Sequence, residues 1–289
     1  MSLHINSPLV SADWLEQHLE APALRILDCS QVMKPRPDGS FGFVPASDEF
    51  TAAHIPGSIF VDVVGQLSDP EQALPLMMPP FEKFAASMQA LGIGDGTVVV
   101  LYDRGNHAWA ARVWWMLRAV GFDNAAVLDG GWLHWVARQK PVTRGSGHYP
   151  PAARFSLKPR PHLFADKARV LAAINDPDSL LLHSLPEAMF TGAVVAYARP
   201  GRISGSQNLY CELLIDPDTR CFRPPGKIRE LMQTTDALQT RKVITYCGGG
   251  IAASSNALAL TLLGVEDVAV YDGSLSEWTA DPDLPMETG

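Results

Sequence analysis

The chain is poor in cysteine. Four such residues occur among 289, Cys29, Cys211, Cys221 and Cys247, and no two of them form a C-x-x-C pair. That spacing excludes paired metal clamps, and the number is too small for a disulfide scaffold of this length, so reduced thiols and no metal centre are expected. Long apolar runs are missing too. None approaches the roughly 18 residues of a membrane span. The opening MSLHINSPLVSADWLEQHLEA has no basic stretch followed by an apolar one, so a cytoplasmic location without a membrane partner is expected. Basic residues are outnumbered, 23 Lys and Arg against 31 Asp and Glu, for a net charge of −8. Proteins that grip a phosphate backbone carry a basic surplus, so no nucleic-acid partner is expected.

What is present is a repeat. The composition, 47% hydrophobic and 19% charged, is globular, and the length allows two domains with separate cores. VVVLYDRGNHAWAARVWWMLRAVGFDNAAVLDGGWLHW in the first half matches KVITYCGGGIAASSNALALTLLGVEDVAVYDGSLSEW in the second. Gly121, Asp129, Gly130 and Trp135 precede Gly264, Asp272, Gly273 and Trp278 by 143 positions, whereas Tyr102 precedes Tyr246 by 144. The first loop therefore holds one extra residue. Upstream, HIPGS at 54–58 resembles RISGS at 202–206. Repeats this long predict tandem domains. Proline and glycine crowd KPVTRGSGHYPPAARFSLKPRPHL between them, so the expected division is a first domain over 1–144, a linker over 145–164 and a second domain over 165–289. In each half short β-branched runs alternate with helical patterns, which predicts an α/β fold: a parallel sheet flanked by helices, with ligands outside the carboxyl ends of the strands.

One loop carries unusual chemistry. A strand ending at Tyr246 delivers Cys247 to a helix expected from about Ile251 to Leu263 and stopped by Gly264. The amides of Gly248, Gly249, Gly250, Ile251, Ala252 and Ala253 combine a glycine loop with the unpaired first turn of a helix, a nest that can converge on one anion. That anion is a phosphate or a thiolate; helix N-termini favour the thiolate form of cysteine, which is the nucleophile. Gly248-x-Gly250-x-x-Ala253 also satisfies the dinucleotide fingerprint formally, with Asp272 as the ribose acid. Against it, only about one further βα unit fits after the motif, and the first copy reads DRGNHAW at the same place. A Walker A loop fails for want of its Lys and hydroxyl. A cysteine phosphatase needs an arginine closing the loop where Ala252 and Ala253 stand. A thiolate whose loop cradles one small extra group survives.

The combination of two α/β repeats, HIPGS in the first, and a Cys-led loop followed by YDGSLSEW in the second resembles the two-domain rhodanese superfamily of thiosulfate and mercaptopyruvate sulfurtransferases. The resemblance implies that Cys247 takes a sulfane sulfur as a persulfide from a small anionic donor and passes it to a thiol or cyanide acceptor, with no cofactor and no metal. It also implies that the first copy is catalytically silent, since Asp103 stands at the cysteine position. The loop CGGGIAA is closer to the mercaptopyruvate type, Gly-Ser-Gly-Val-Thr after the cysteine, than to the thiosulfate type, but has Gly249 and Ala252 where the hydroxyls belong. The family's Asp-Ala-Arg is replaced by His183, Ser184 and Leu185, and a further substrate arginine by Met189. Arg199 and Arg202 are expected to replace the lost anion grip, with Arg112 at the family's inter-domain arginine; each is alternatively a solvated surface cation. His54 is expected either beside the substrate or as a turn cap. The alternative to an enzyme is a sulfur-relay or binding protein with a degenerate pocket that no longer turns over small donors.

Overall fold

A computed structural model describes residues 3–35, 41–152 and 154–289. The chain divides into two compact units. Unit 1 comprises residues 1–71, 78–160 and 217–221; unit 2 comprises 72–77, 161–216 and 222–289.

Unit 1 is built on a five-stranded sheet: β1 (Leu9–Val10), β2 (Leu24–Asp28), β3 (Ser58–Phe60), β4 (Val98–Tyr102) and β5 (Ala125–Leu128), in the order β1-β5-β4-β2-β3. Unit 2 holds β6 (Phe164–Ala165), β7 (Ser179–His183), β8 (Gln207–Asn208), β9 (Lys242–Tyr246) and β10 (Val268–Tyr271), in the order β6-β10-β9-β7-β8. The two orders are the same, and every neighbouring pair is parallel. The fold is thus the expected α/β class, two copies of one parallel architecture. The central strands explain themselves: VVVLY of β4 is buried throughout and ITY of β9 nearly so, as strands covered on both faces must be.

The duplicated tyrosines that end these strands act as matching anchors. Tyr102 Oη receives the Ile55 N–H at 3.4 Å and meets Ser58 Oγ at 3.2 Å. Tyr246 Oη receives the Ile203 N–H at 3.2 Å and meets Ser206 Oγ at 2.6 Å. The repeated HIPGS and RISGS segments are therefore turns pinned to the same phenol in each copy. Trp135 and Trp278, the other duplicated aromatics, close the two cores beneath them.

Several residues of the stretch expected as a linker over 145–164 pair with unit 1. Ala152 N–H reaches Gln89 O at 2.8 Å, Lys158 N–H reaches Val120 O at 2.9 Å and Arg160 N–H reaches Ala119 O at 2.7 Å. Glycine makes the close approach possible. A Cβ on Gly94 would collide with Arg154 O, and one on Gly121 with Lys158 O.

Candidate functional site

Cys247 follows β9 directly, and three glycines later the chain enters helix α2 (Ile251–Leu262); α1 (Ala108–Ala119) is its counterpart after β4. Gly250 caps α2 with φ of 77°, a left-handed conformation that any side chain would strain. The cysteine is 2% exposed. Its loop is held by the N-terminus of a short helix, α3 (Ser274–Trp278). Ser274 Oγ accepts the N–H of Cys247 at 3.1 Å and that of Gly250 at 3.2 Å, while donating to Tyr271 O at 2.7 Å. Cys247 O accepts the Leu275 N–H at 3.0 Å, and Gly248 O accepts both the N–H and the hydroxyl of Ser276, at 3.0 and 2.6 Å. The loop's outward groups are thus engaged by α3. The amides of the first turn of α2 have no intrahelical acceptor.

Unit 1 shows what such a loop does. Asp103 stands where the cysteine would, 2% exposed, and its carboxylate is filled with amides: Oδ1 accepts Gly105 N–H at 2.9 Å and His107 N–H at 3.1 Å, Oδ2 accepts Trp109 and Ala110 N–H, each at 3.1 Å. Asp103 O accepts the Trp132 N–H at 3.0 Å, the counterpart of the bond from Leu275 to Cys247. At the repeat offset of 143 within the helix, the amides of Trp109 and Ala110 correspond to those of Ala252 and Ala253. In the first copy the nest already holds an anion, built into the chain.

The expected cations are engaged elsewhere. The Arg199 guanidinium donates to five carbonyls, those of Trp278, Thr279, Asp281, Pro282 and Leu284, at 2.6–3.3 Å. Arg202 donates to Gly289 O at 2.8 Å, pairs with Glu287 at 3.4 Å and lies over the Phe190 ring. Both tie their segment to the chain after α3, so the guanidinium groups expected to grip a donor are directed at backbone carbonyls and at Glu287. Arg112 is neither solvated nor on a flank; it is 1% exposed in the middle of α1, in unit 1. His54, also in unit 1, is stacked on Phe50 at 3.9 Å, with Nδ1 on Phe50 O at 2.8 Å and its backbone paired to Thr143. Cys247, the loop to Ala253, Arg199 and Arg202 all belong to unit 2.

The remaining cysteines, Cys29, Cys211 and Cys221, form no disulfide and are placed differently. Burial pushes Cys29 well above its ordinary range, with Asp28 and Asp103 adding to it. Burial first, and the nearby Cys247 second, push Cys211 up to about 12. Beside β9, His183 is driven down to about 4, by burial first and also by the charge of Arg202; its Nδ1 receives the Asn208 amide at 2.9 Å. A surface cleft of unit 2 lies at the other, amino ends of the strands, and its cations are paired there, Arg169 with Asp267 and Lys242 with Asp176. Among the described residues no group of three or more His, Cys, Asp and Glu could hold a metal ion, and no helix is long and apolar enough to cross a membrane.

Two residues of the site escape a reading of the sequence. Ser274 has a signal, because its counterpart in the silent copy is Gly131. Tyr197, whose hydroxyl lies against Gly248, has none.

Comparison with known proteins agrees with this architecture. The rhodanese-like domain profile matches residues 11–138 and 168–281. A mitochondrial thiosulfate/3-mercaptopyruvate sulfurtransferase of Arabidopsis thaliana is 33% identical over 99% of this chain and 80% of its own length. The 3-mercaptopyruvate sulfurtransferase of Escherichia coli is 32% identical over 96% of this chain and 97% of its own. The crystal structure of SseA from Escherichia coli, described as showing the rhodanese fold and mechanism of 3-mercaptopyruvate sulfotransferases, superposes with a TM-score of 0.81 at 28% identity, covering 93% of this chain and 99% of that one.

Proposed function

The chain belongs to the rhodanese family, and from that premise we propose that it is a sulfurtransferase that carries a sulfane sulfur on Cys247 from a small anionic donor to a thiol or cyanide acceptor. The observation that carries this reading is the Asp103 carboxylate. A nest that holds a carboxylate on four amides in one copy suits a thiolate or persulfide in the other, where a cysteine starts the same loop.

The chemistry needs only these parts. The Cys247 thiolate forms a bond to the donor's terminal sulfur, and the donor's own bond to that sulfur breaks, its electron pair leaving with the donor. The acceptor then bonds the outer sulfur, the S–S bond breaks, and the pair returns to Sγ. The amides of α2's first turn stabilise the sulfur anion at both ends of the cycle. Unit 1, its nest filled, takes the silent part. Of the two donors named for the relatives, 3-mercaptopyruvate suits the site better. Its single carboxylate asks less compensating charge than the thiosulfate dianion, and the loop has no cation at positions 248 or 249.

The test is peptide mass spectrometry after incubation with 3-mercaptopyruvate. One sulfur is expected on Cys247, removable by reductant, and cyanide is expected to release it as thiocyanate through repeated turnovers. Sulfur found only on Cys29, Cys211 or Cys221 would overturn the assignment, and loading without turnover would favour a relay protein.

A further inference from the structure

Tyr197 approaches the cysteine loop from a segment 50 positions upstream. A Cβ on Gly248 would collide with its hydroxyl and would stand 2.8 Å from Cζ and 3.3 Å from Cε1. The position is glycine because the phenol takes the space. The ring is half-buried, and burial first, nearness of Cys247 second, push the phenol up to about 12, so the proton stays on oxygen across the neutral range. Among the described residues this hydroxyl has no hydrogen-bond partner, Sγ of Cys247 included. A protonated O–H beside a nucleophile's loop that no protein group claims can donate to solvent or to a ligand there.

The backbone around it fixes that placement. Two residues on, Arg199 ties the segment to Trp278 O and Thr279 O at the carboxyl end of α3. The amino end of the same helix holds Cys247 and Gly248. One short helix thus sets the phenol and the cysteine loop against each other.

We propose that Tyr197 is a catalytic residue whose hydroxyl donates a hydrogen bond to the outer sulfur of the Cys247 persulfide, an inference that rests on the sulfur-transfer reading above. The sulfur-free protein has no such bond; a second sulfur, about 2 Å beyond Sγ, provides the acceptor. Residues 248–253 contain no hydroxyl, so the loop cannot supply this donor itself. The outer sulfur carries negative charge that repels an anionic acceptor. A neutral O–H draws part of that charge away and moves no proton, so the acceptor's electron pair can reach the sulfur while the S–S pair returns to Sγ.

The experiment is Tyr197→Phe, which keeps the ring against Gly248, with Gly248→Ala as a second variant that displaces the hydroxyl instead of deleting it. Sulfur is loaded from 3-mercaptopyruvate or thiosulfate and confirmed on Cys247 by mass; its discharge to cyanide is then followed in a single turnover, and alkylation of the unloaded thiol by iodoacetamide serves as control. The expected result is discharge slowed about tenfold or more in both variants, the loss of one hydrogen bond to a charged group, with unloaded alkylation in Tyr197→Phe within about twofold of wild type. A merely structural tyrosine would move both rates together, and that outcome overturns the proposal, as does unchanged discharge in Tyr197→Phe. Wild-type protein that takes no sulfur on Cys247 overturns the functional reading itself and this inference with it.

Discussion

Ser274 Oγ accepts the backbone N–H of Cys247 at 3.1 Å, and that bond is what distinguishes the two copies of this fold most sharply. The same oxygen accepts from Gly250, so one fully buried hydroxyl holds the first and last residues of the cysteine loop. In unit 1 the residue at this place is Gly131, and the loop is held from within by the Asp103 carboxylate instead. The chain after β5 still reaches the unit 1 loop, through Trp132 N–H to Asp103 O and Gly130 N–H to His107 Nε2, but it offers no hydroxyl at the place of Ser274.

Ser274→Ala should therefore leave two buried amides without an acceptor and lower unfolding stability by about 1–3 kcal/mol, measured by urea titration. Sulfur transfer should fall as well, because the loop loses its register. A variant within half of that lower figure and with full activity would show that the brace is incidental.

Arg199→Ala should act as a structural lesion. Five carbonyls lose a charged donor, for a cost of about 2 kcal/mol. Because the guanidinium faces carbonyls, kcat/KM for thiosulfate and for 3-mercaptopyruvate should drop by the same factor. A selective loss for the dianion would restore a donor-binding role to this residue.

Asp103→Ala should destabilise unit 1 by about 3 kcal/mol, since four amide bonds converge on that carboxylate. Sulfur loading per folded molecule should be unchanged. Equal stability of variant and wild type in denaturant would mean that the nest is satisfied without its anion.

His183 makes the stability depend on acid. Its folded value, about 4, lies below the ordinary value near 6.5, so it is held neutral, and this contribution is complete above the ordinary value and is lost as pH falls toward 4. Between those limits the unfolded chain binds more protons, and wild type should lose up to about 1.4 kcal/mol per pH unit relative to His183→Gln. Denaturation curves from pH 7.5 to 4.5 read this directly, and a wild-type-to-variant difference that stays constant with pH would falsify it.

The sequence carried more of the fold than of the pocket. Tyr102 and Tyr246, Trp135 and Trp278 recur because each closes a core, so the duplication, the class and the strand before Cys247 could be read from their spacing. The cysteine loop was legible for the same reason, as glycines between a buried strand and a helix have few uses. The surroundings of Arg199 and Arg202 were not legible, because a cation near a motif looks alike whether it faces a substrate or a carbonyl. Residues 145–164 read as a linker from their prolines and glycines, while the glycines at 94 and 121 that let Arg154 and Lys158 lie close are far off in sequence and carry no local sign of it. Tyr197 could not be read at all. Its approach to Gly248 depends on where Arg199 pins a loop, and no local pattern encodes that.

The carboxylate in the first copy sets the stoichiometry of the whole chain. A carboxylate held in place by its own backbone, with four amides already on its oxygens, competes as a pre-oriented intramolecular group, whose effective molarity can far exceed that of a dissolved anion. The Asp103 nest is therefore permanently saturated, deaf to phosphate, sulfate or substrate in the medium, and a titration with any small anion should count one vacancy per polypeptide where the architecture, read by symmetry, offers two.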